Sequence, residues 1–350
     1  MIYQMRSLNG TRVLITGGNG YIGSHTLLQL LEAGMSVHVI DNFSNSSRDA
    51  LKRLRSVSAS SFTFDEVDLR DLTSLKETFK SFQPDAVLHF AGLKVVAESV
   101  YNPLLYYHNN VTGSLNVLSA MDYVECYRII FSSSASVYGD ATYIPIDEKH
   151  SVRPLTPYGR TKAIAEDIIR DWVASGSIRS GVSLRYFNPI GAHRTGKIGE
   201  NPRGTPNNLV PLLAEVALGR LPELQVYGGD FDTRDGTGER DYIHIEDLAT
   251  GHVAALRHVL TNSGYEVVNL GTGRGLTVLE LIKTYISACG VRIPWRLAAR
   301  RPGDAASSVA DARKAELLLG WKAERSIHDA CRSSWLWRQR IVGTAARGAD

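Results

Sequence analysis

The stretch RVLITGGNGYIG, residues 12–23, decides the fold. Its first half is a short apolar run of strand type, ended by a glycine turn. Its second half sets Gly17, Gly20 and Gly23 in a G-x-x-G-x-x-G pattern, and an amphipathic helical pattern follows at once. Glycines at this spacing permit a tight turn, close approach of the backbone to a pyrophosphate, and close helix–strand packing. The pyrophosphate would lie at the helix N-terminus, where free N–H groups and the helix dipole favour negative charge. A glycine turn alone is a weak signal. Between a buried strand and an amphipathic helix it points to a dinucleotide.

Outward from this turn, RVLITG, SVHVID, FTFDEVD, AVLHFAG, RIIFSSS and VSLRYFN recur as runs rich in Val, Ile and Phe, separated by stretches of helical length and period. This alternation predicts an α/β fold, a doubly wound parallel sheet with helices on both faces. Ligands in such sheets bind at the carboxyl ends of the strands. Strand two ends in Asp41, 18 residues past Gly23. A carboxylate there accepts hydrogen bonds from the adenosine ribose and repels a 2′-phosphate. Asn42 and Phe43 offer no cation for that phosphate, so NAD is expected rather than NADP. Asp68, ending strand three, either caps the adenine edge or N-caps the helix of DLTSLKETF.

A chain of 350 residues has room for about two domains. The expected division is a dinucleotide-binding domain over 12–188, with parts of 240–275 returning to it, and a mainly substrate-binding region over 189–340. The net charge of +3, with both signs interleaved, argues against nucleic-acid or membrane-surface partners. Cys126, Cys289 and Cys331 are scattered and odd in number, which suits thiols of a reducing compartment better than disulfides or a metal site. The N-terminus lacks a signal-peptide core and no apolar run reaches membrane-spanning length. A cytoplasmic protein without a metal is expected.

Strand five ends in SSSASVYGD, so Ser132, Ser133 and Ser134 leave the sheet at its ligand-binding edge. TPYGRTK, residues 156–162, opens the next helix and sets Tyr158 and Lys162 one turn apart on one face. Of 15 tyrosines only Tyr158 has a lysine at this offset, but chance gives such a pair often enough that its surroundings must carry the case. A free phenol, with a pKa near 10, is a poor base at neutral pH. The Lys162 ammonium and a positive nicotinamide ring would both stabilise the phenolate and pull the Tyr158 pKa down. Tyr158 could then take a sugar hydroxyl proton as hydride leaves the same carbon. Lys162 would also hold the nicotinamide ribose, and Ser134 the sugar oxygen.

TGGNGYIGSH, HFAGLKVVAESV, YYHNNVTG, FSSSASVYGD, PYGRTK, LRYFNPIGAH, PNNLVP, DGTGERDYIHIEDLA, NLGTG and RRPGD, in this order from about residue 12 to about 337, resemble the UDP-galactose 4-epimerase family of the extended short-chain dehydrogenase/reductase superfamily. The resemblance implies a Rossmann-type sheet with a smaller C-terminal α/β region. It also implies tightly held NAD and a closed redox cycle: oxidation at sugar C4, rotation of the 4-keto sugar about its bond to the diphosphate, and return of hydride to the other face. By position it carries Tyr21, Ile22, Asn42, Leu69, Phe90, Ala91, Lys94, Asn109, Ser132 and Tyr186 into the NAD site. For the UDP-hexose it implies Arg240 and Arg301 as diphosphate clamps, Asp304 on the ribose, and Asn188 and Asn207 on phosphate or sugar. Leu209 and Tyr227 would sandwich the base; Phe187 either faces the sugar or belongs to the core. The polar loops HRTGKIGENPRGTPNN and YGGDFDTRDGTGERDY suit a lid or substrate loop.

Three departures from the family pattern stand out. Ser308 occupies the place that gates the sugar pocket, and its small side chain implies that UDP-GlcNAc and UDP-GalNAc are accepted beside UDP-Glc and UDP-Gal. Val309 replaces a usual aromatic, and the tail after Trp337, RQRIVGTAARGAD, lacks the family ending and is expected to be poorly ordered. Among rivals, a 4,6-dehydratase needs acids just after the strand-five hydroxyl, where Ala135 and Ser136 stand; a uronate epimerase on the same scaffold and a non-catalytic dinucleotide sensor rank below. The family commonly forms homodimers through segments near 103–121 and 158–175, whose apolar stripes could equally be buried within one chain.

Overall fold

The computed structural model describes residues 8–58, 60–202, 206–301 and 304–347. Residues 1–7, Ala59, residues 203–205 of the lid-type loop, Pro302 and Gly303 of RRPGD, and residues 348–350 of the tail lie outside the described residues.

The first half alternates β1 (Arg12–Thr16), α1 (Tyr21–Glu32), β2 (Ser36–Ile40), α2 (Arg48–Val57), β3 (Thr63–Asp65), α3 (Leu72–Phe82) and β4 (Ala86–His89). It continues with α4 (Val96–Tyr101), α5 (Pro103–Tyr106), a π-helical turn Tyr107–Thr112, α6 (Gly113–Tyr123), β5 (Arg128–Ser132), α7 (Pro157–Ala174) and β6 (Ser180–Tyr186). Then follow β7 (Asn188–Ile190), α8 (Leu209–Ala217), β8 (Leu224–Tyr227), β9 (Glu239–His244), α9 (Ile245–Thr261) and β10 (Gly264–Leu270). The remainder is β11 (Gly275–Thr277), α10 (Val278–Cys289), β12 (Trp295–Ala298), β13 (Ser307–Ser308), α11 (Arg313–Leu319) and α12 (Ile327–Arg347).

Seven strands form one parallel sheet in the order β10-β6-β5-β4-β1-β2-β3. Its strands read as continuous apolar runs because both faces are covered. Val13 and Ile15 pack with Leu27 and Leu31 of α1 and Leu248 and Leu256 of α9 on one face. Leu14, between them, packs with Phe79 of α3, Met121 of α6 and Ile169 of α7 on the other. The strand order reverses at β1, whose neighbours β2 and β4 send their chains away to opposite sides, leaving a crevice at the carboxyl ends.

Smaller sheets, β11-β9-β13 with β7 joined to β9, and β12-β8, carry the second half. Their core joins Leu213 of α8, Val226 of β8, Tyr285 of α10, and Cys331 and Trp335 of α12. The tail differs from expectation, since α12 runs unbroken to Arg347. Tertiary contacts order it: Trp337 is buried, Arg338 pairs with Glu215, and Arg340 donates to the Thr195 carbonyl.

Candidate active site

At the end of β1 the glycines are required by space. Gly17 has φ +69°, and a Cβ there would stand 2.7 Å from the Ala91 nitrogen; a Cβ on Gly23 would stand 2.5 Å from the Gly17 oxygen. The chain thus turns tightly against the end of β4, and α1 seats directly on the turn. Gly20 is the N-cap of α1 and supplies no side-chain acceptor, so the first N–H groups of the helix face the crevice uncapped. Asp41 braces the turn: its carboxylate accepts the N–H groups of Asn19 (3.2 Å) and Phe43 (2.9 Å) and the Ser46 hydroxyl (2.8 Å).

Asp68 is not the helix N-cap. That place belongs to Asp71, which accepts from the N–H groups of Thr73 and Ser74. Asp68 instead receives Arg70 Nε at 2.9 Å and Nη2 at 2.7 Å, plus Asn42 Nδ2 at 3.0 Å, and the Arg70 hydrogen bonds hold its carboxyl well below the usual range.

The third corner is built by α7. Thr156 caps it, Pro157 opens it, and Gly159 lets it approach the turn after β5, since a Cβ there would lie 2.7 Å from the Ser136 oxygen. This contact brings Tyr158 near Ser134, whose hydroxyl favours the phenolate and donates to Ser136 Oγ at 3.1 Å. Lys162 Nζ donates to the Ser132 carbonyl at 2.6 Å and lies 6.0 Å from the Tyr158 ring centre. One expectation needs correcting here. In the protein itself burial pushes the Tyr158 phenol above its ordinary pKa, against the opposing pull of the Ser134 hydroxyl. The Lys162 ammonium is aimed at a backbone oxygen, and burial lowers it to about 8 with Glu166 opposing.

A cleft of about 1200 Å³ runs along the carboxyl edge. It gathers Gly17, Gly20, Tyr21, Ile22, Gly23, Asp41, Asn42, Asp68, Leu69, Phe90, Ala91, Lys94, Asn109, Ser132, Tyr158, Lys162 and Tyr186, and also Asn188, Asn207, Arg301 and Asp304.

With this geometry in place, comparison with known proteins is direct. The model of the NAD dependent epimerase/dehydratase family matches residues 13–271, well over half of the chain. The chain belongs to that family. UDP-glucose 4-epimerase of Bacillus subtilis (strain 168) is 49% identical over 330 residues, 94% of this chain and 97% of that protein. The crystal structure of UDP-glucose-4-epimerase from Stenotrophomonas maltophila, with bound NAD and formylated UDP-arabinopyranose, matches with a TM-score of 0.94 and 44% identity, over 95% of this chain and 99% of that one. UDP-glucose 4-epimerase from Bifidobacterium longum in complex with NAD+ and UDP gives 0.90 and 47%, over 94% and 98%.

In this epimerase/dehydratase-family chain, several expected substrate residues stand outside the cleft lining: Ser134, Phe187, Leu209, Tyr227, Arg240 and Ser308. Phe187 belongs to a buried cluster with Val137, Tyr138, Ile146 and Ala310. Leu209 opens α8 and packs on the third core. Ser308, on β13, pairs in register with Arg240 of β9, whose Nη1 donates to the Glu239 carbonyl. Arg301 is bound to Asp304 (Nε to Oδ2, 2.8 Å) and lies 4.8 Å over the Tyr227 ring, so these three expected substrate residues form one group. Lys94 Nζ reaches Glu200 Oε1 at 3.2 Å across the cleft.

Other site-shaping residues escaped the sequence reading. Asn110, in the π-helical turn, brackets the loop after β4 through Leu93 N–H (2.8 Å), the Leu93 carbonyl (3.0 Å) and the Thr161 hydroxyl (3.0 Å). Glu166, one turn beyond Lys162, pairs with Arg185 of β6 and accepts from Ser133. The second could have been sought at the next helical repeat after Tyr158 and Lys162; no local signal marks the first.

Proposed function

We propose that the protein interconverts UDP-hexoses that differ in configuration at C4, UDP-galactose and UDP-glucose, with NAD held as a prosthetic group. The observation that carries this reading is the Tyr158–Lys162 pair beside a glycine cradle, in a cleft that Arg301 and Asp304 also line, with Ser134 just behind the lining. The residues fit NAD: the cradle excludes any Cβ at Gly17 and Gly23, α1 presents uncapped N–H groups, and the Asp41 carboxylate disfavours a 2′-phosphate. NAD, when bound, would supply the two-electron acceptor for oxidation at C4 and the matching donor for the return reduction.

The chain's own residues do the rest. Tyr158 takes the C4 hydroxyl proton during oxidation and returns it during reduction, and Ser134 holds the same oxygen in place. Burial of the phenol keeps it protonated until an additional positive charge enters beside it, which couples base strength to a loaded site. Arg301 and Arg240 would bind the diphosphate as a pivot, Arg301 exchanging its exposed Asp304 pair for phosphate at small cost. The dehydratase alternative lacks an acid in the turn Ala135–Val137 after Ser134.

The finer features of the reading are these. Ser308 leaves room for a 2-acetamido group, which makes UDP-GalNAc and UDP-GlcNAc substrates as well. The chain forms a homodimer through the face that exposes Tyr101, Leu104, Leu105 and Leu115. It works in the cytoplasm, where unpaired thiols such as buried Cys126 and Cys331 persist.

Purified protein without added NAD, given UDP-galactose and UDP-N-acetylgalactosamine separately, should convert both to their gluco-epimers by chromatography. Turnover of UDP-galactose alone would remove the reading of Ser308, and turnover of neither would remove the epimerase. Ser308→Tyr should selectively reduce N-acetyl sugar turnover; an unchanged ratio would discard the gate.

A further inference from the structure

Arg53, on α2, lines the cleft together with Gly20, Tyr21 and Ile22. Among the described residues it forms no salt bridge, and its Nε is buried without a hydrogen-bond partner. The nearest acid on its own helix, Asp49, already faces Lys52 at 3.5 Å. What holds the guanidinium is a ring: its carbon lies 5.4 Å from the centre of Trp337. Trp337 is 3% exposed and fixed on two sides. Its Nε1 donates to the Glu200 carbonyl at 2.9 Å, and its indole fills the space a Cβ on Gly199 would need, 2.4 Å from Cδ1.

The glycine turn is tied to this place as well. Asn19 Nδ2 donates to the Ser47 carbonyl at 2.7 Å, at the start of α2, and Arg53 follows six residues later, about 9 Å along the helix. Asn19 is 3% exposed, and its Oδ1 has no partner among the described residues, which leaves an acceptor for a ligand hydroxyl. A half-buried guanidinium whose neighbouring acid, Asp49, is shared with Lys52 is poorly compensated until an anion arrives in the cleft. We propose that Arg53, braced on Trp337 of the C-terminal helix, is a phosphate ligand of the bound dinucleotide and takes up charge of its pyrophosphate. The proposal rests on the reading of the cleft as an NAD site.

Arg53→Met tests it, because methionine keeps an unbranched stem against Trp337 and removes the charge; Arg53→Lys keeps the charge and guards against loss of folding. Binding of NAD, ADP-ribose, adenosine and NADP to NAD-stripped protein is measured by calorimetry, and NAD release from the loaded protein by its absorbance after gel filtration. Arg53→Met should weaken NAD and ADP-ribose about 10- to 100-fold, leave adenosine unchanged, and shed NAD on the column, with Arg53→Lys between it and wild type. Unchanged NAD and ADP-ribose affinity would overturn the proposal, as would an equal loss for adenosine, which would mean collapse of packing. A loss confined to NADP would overturn it in favour of a 2′-phosphate contact. Wild-type protein that binds no NAD would instead remove the underlying reading of the cleft.

Discussion

Replacing Glu166 by glutamine tests the frame on which Tyr158 and Lys162 sit. Glu166 and Arg185 are 3% and 4% exposed, and neither lines the cleft. The carboxylate receives Arg185 Nε at 2.9 Å and Nη2 at 2.5 Å, and also the Ser133 hydroxyl. Arg185 Nη1 has no partner among the described residues, so its charge depends on Glu166 and on the Tyr138 ring 4.8 Å away. Glutamine keeps one acceptor oxygen, so one charge-assisted hydrogen bond of about 1.5–3 kcal/mol is lost outright, and the surviving one loses its anionic partner beside a buried guanidinium. That agrees with the roughly 3–5 kcal/mol expected when one member of a buried pair is removed. Urea unfolding followed by circular dichroism should show Glu166→Gln destabilised by this amount, and kcat should fall with it because α7 loses its anchor to the end of β5. The double variant Glu166→Gln/Arg185→Met buries no charge and should recover most of the stability. A single variant within about 1 kcal/mol of wild type, or a double variant no better than the single, would refute the reasoning.

Tyr158→Phe should retain NAD, measured by absorbance of the purified protein, while epimerisation falls by about 10²- to 10⁴-fold; equal turnover would remove Tyr158 as the proton carrier. Acid should destabilise the fold well before its carboxylates titrate. Burial lowers His25 and His89 to about 3, with Lys162 adding to the effect at His89, and lowers His252 to about 4. These imidazoles stay neutral in the fold, whereas the unfolded chain binds their protons below about pH 6.5. Their contribution is therefore full above that pH and declines as pH falls toward 4. At pH 5.5 each costs about 1.4 kcal/mol, roughly 4 kcal/mol together, so urea curves at pH 7.5 and 5.5 that coincide would contradict the assignment.

The fold was legible because its physics is local. RVLITG followed by glycines reads as strand and turn because the apolar run is buried on both faces and Gly17 and Gly23 admit no Cβ. Tyr158 and Lys162 were legible for the same reason, since helical period alone puts them on one face. Partner choice was not legible. Asp68 and Asp71 are three residues apart and chemically alike, and only the path of the chain into α3 makes one the cap and the other the partner of Arg70. The tail reads as a poorly ordered ending, yet it is helical as far as Arg347 because Arg338 meets Glu215 and Trp337 meets Glu200, contacts between segments remote in sequence.

The same distinction explains why Lys162 alone does not make Tyr158 a base. Spacing places an ammonium one turn from a phenol, but tertiary structure decides where that ammonium points and how dry the phenol is. Here it points to the Ser132 carbonyl and the phenol is buried, so the protein by itself favours the neutral tyrosine. If Tyr158 is the proton carrier proposed above, a further positive charge bound next to it would be what lowers the phenol's pKa. On the proposed reading, Tyr158 would take a sugar proton only in the state in which an electron acceptor is already in place.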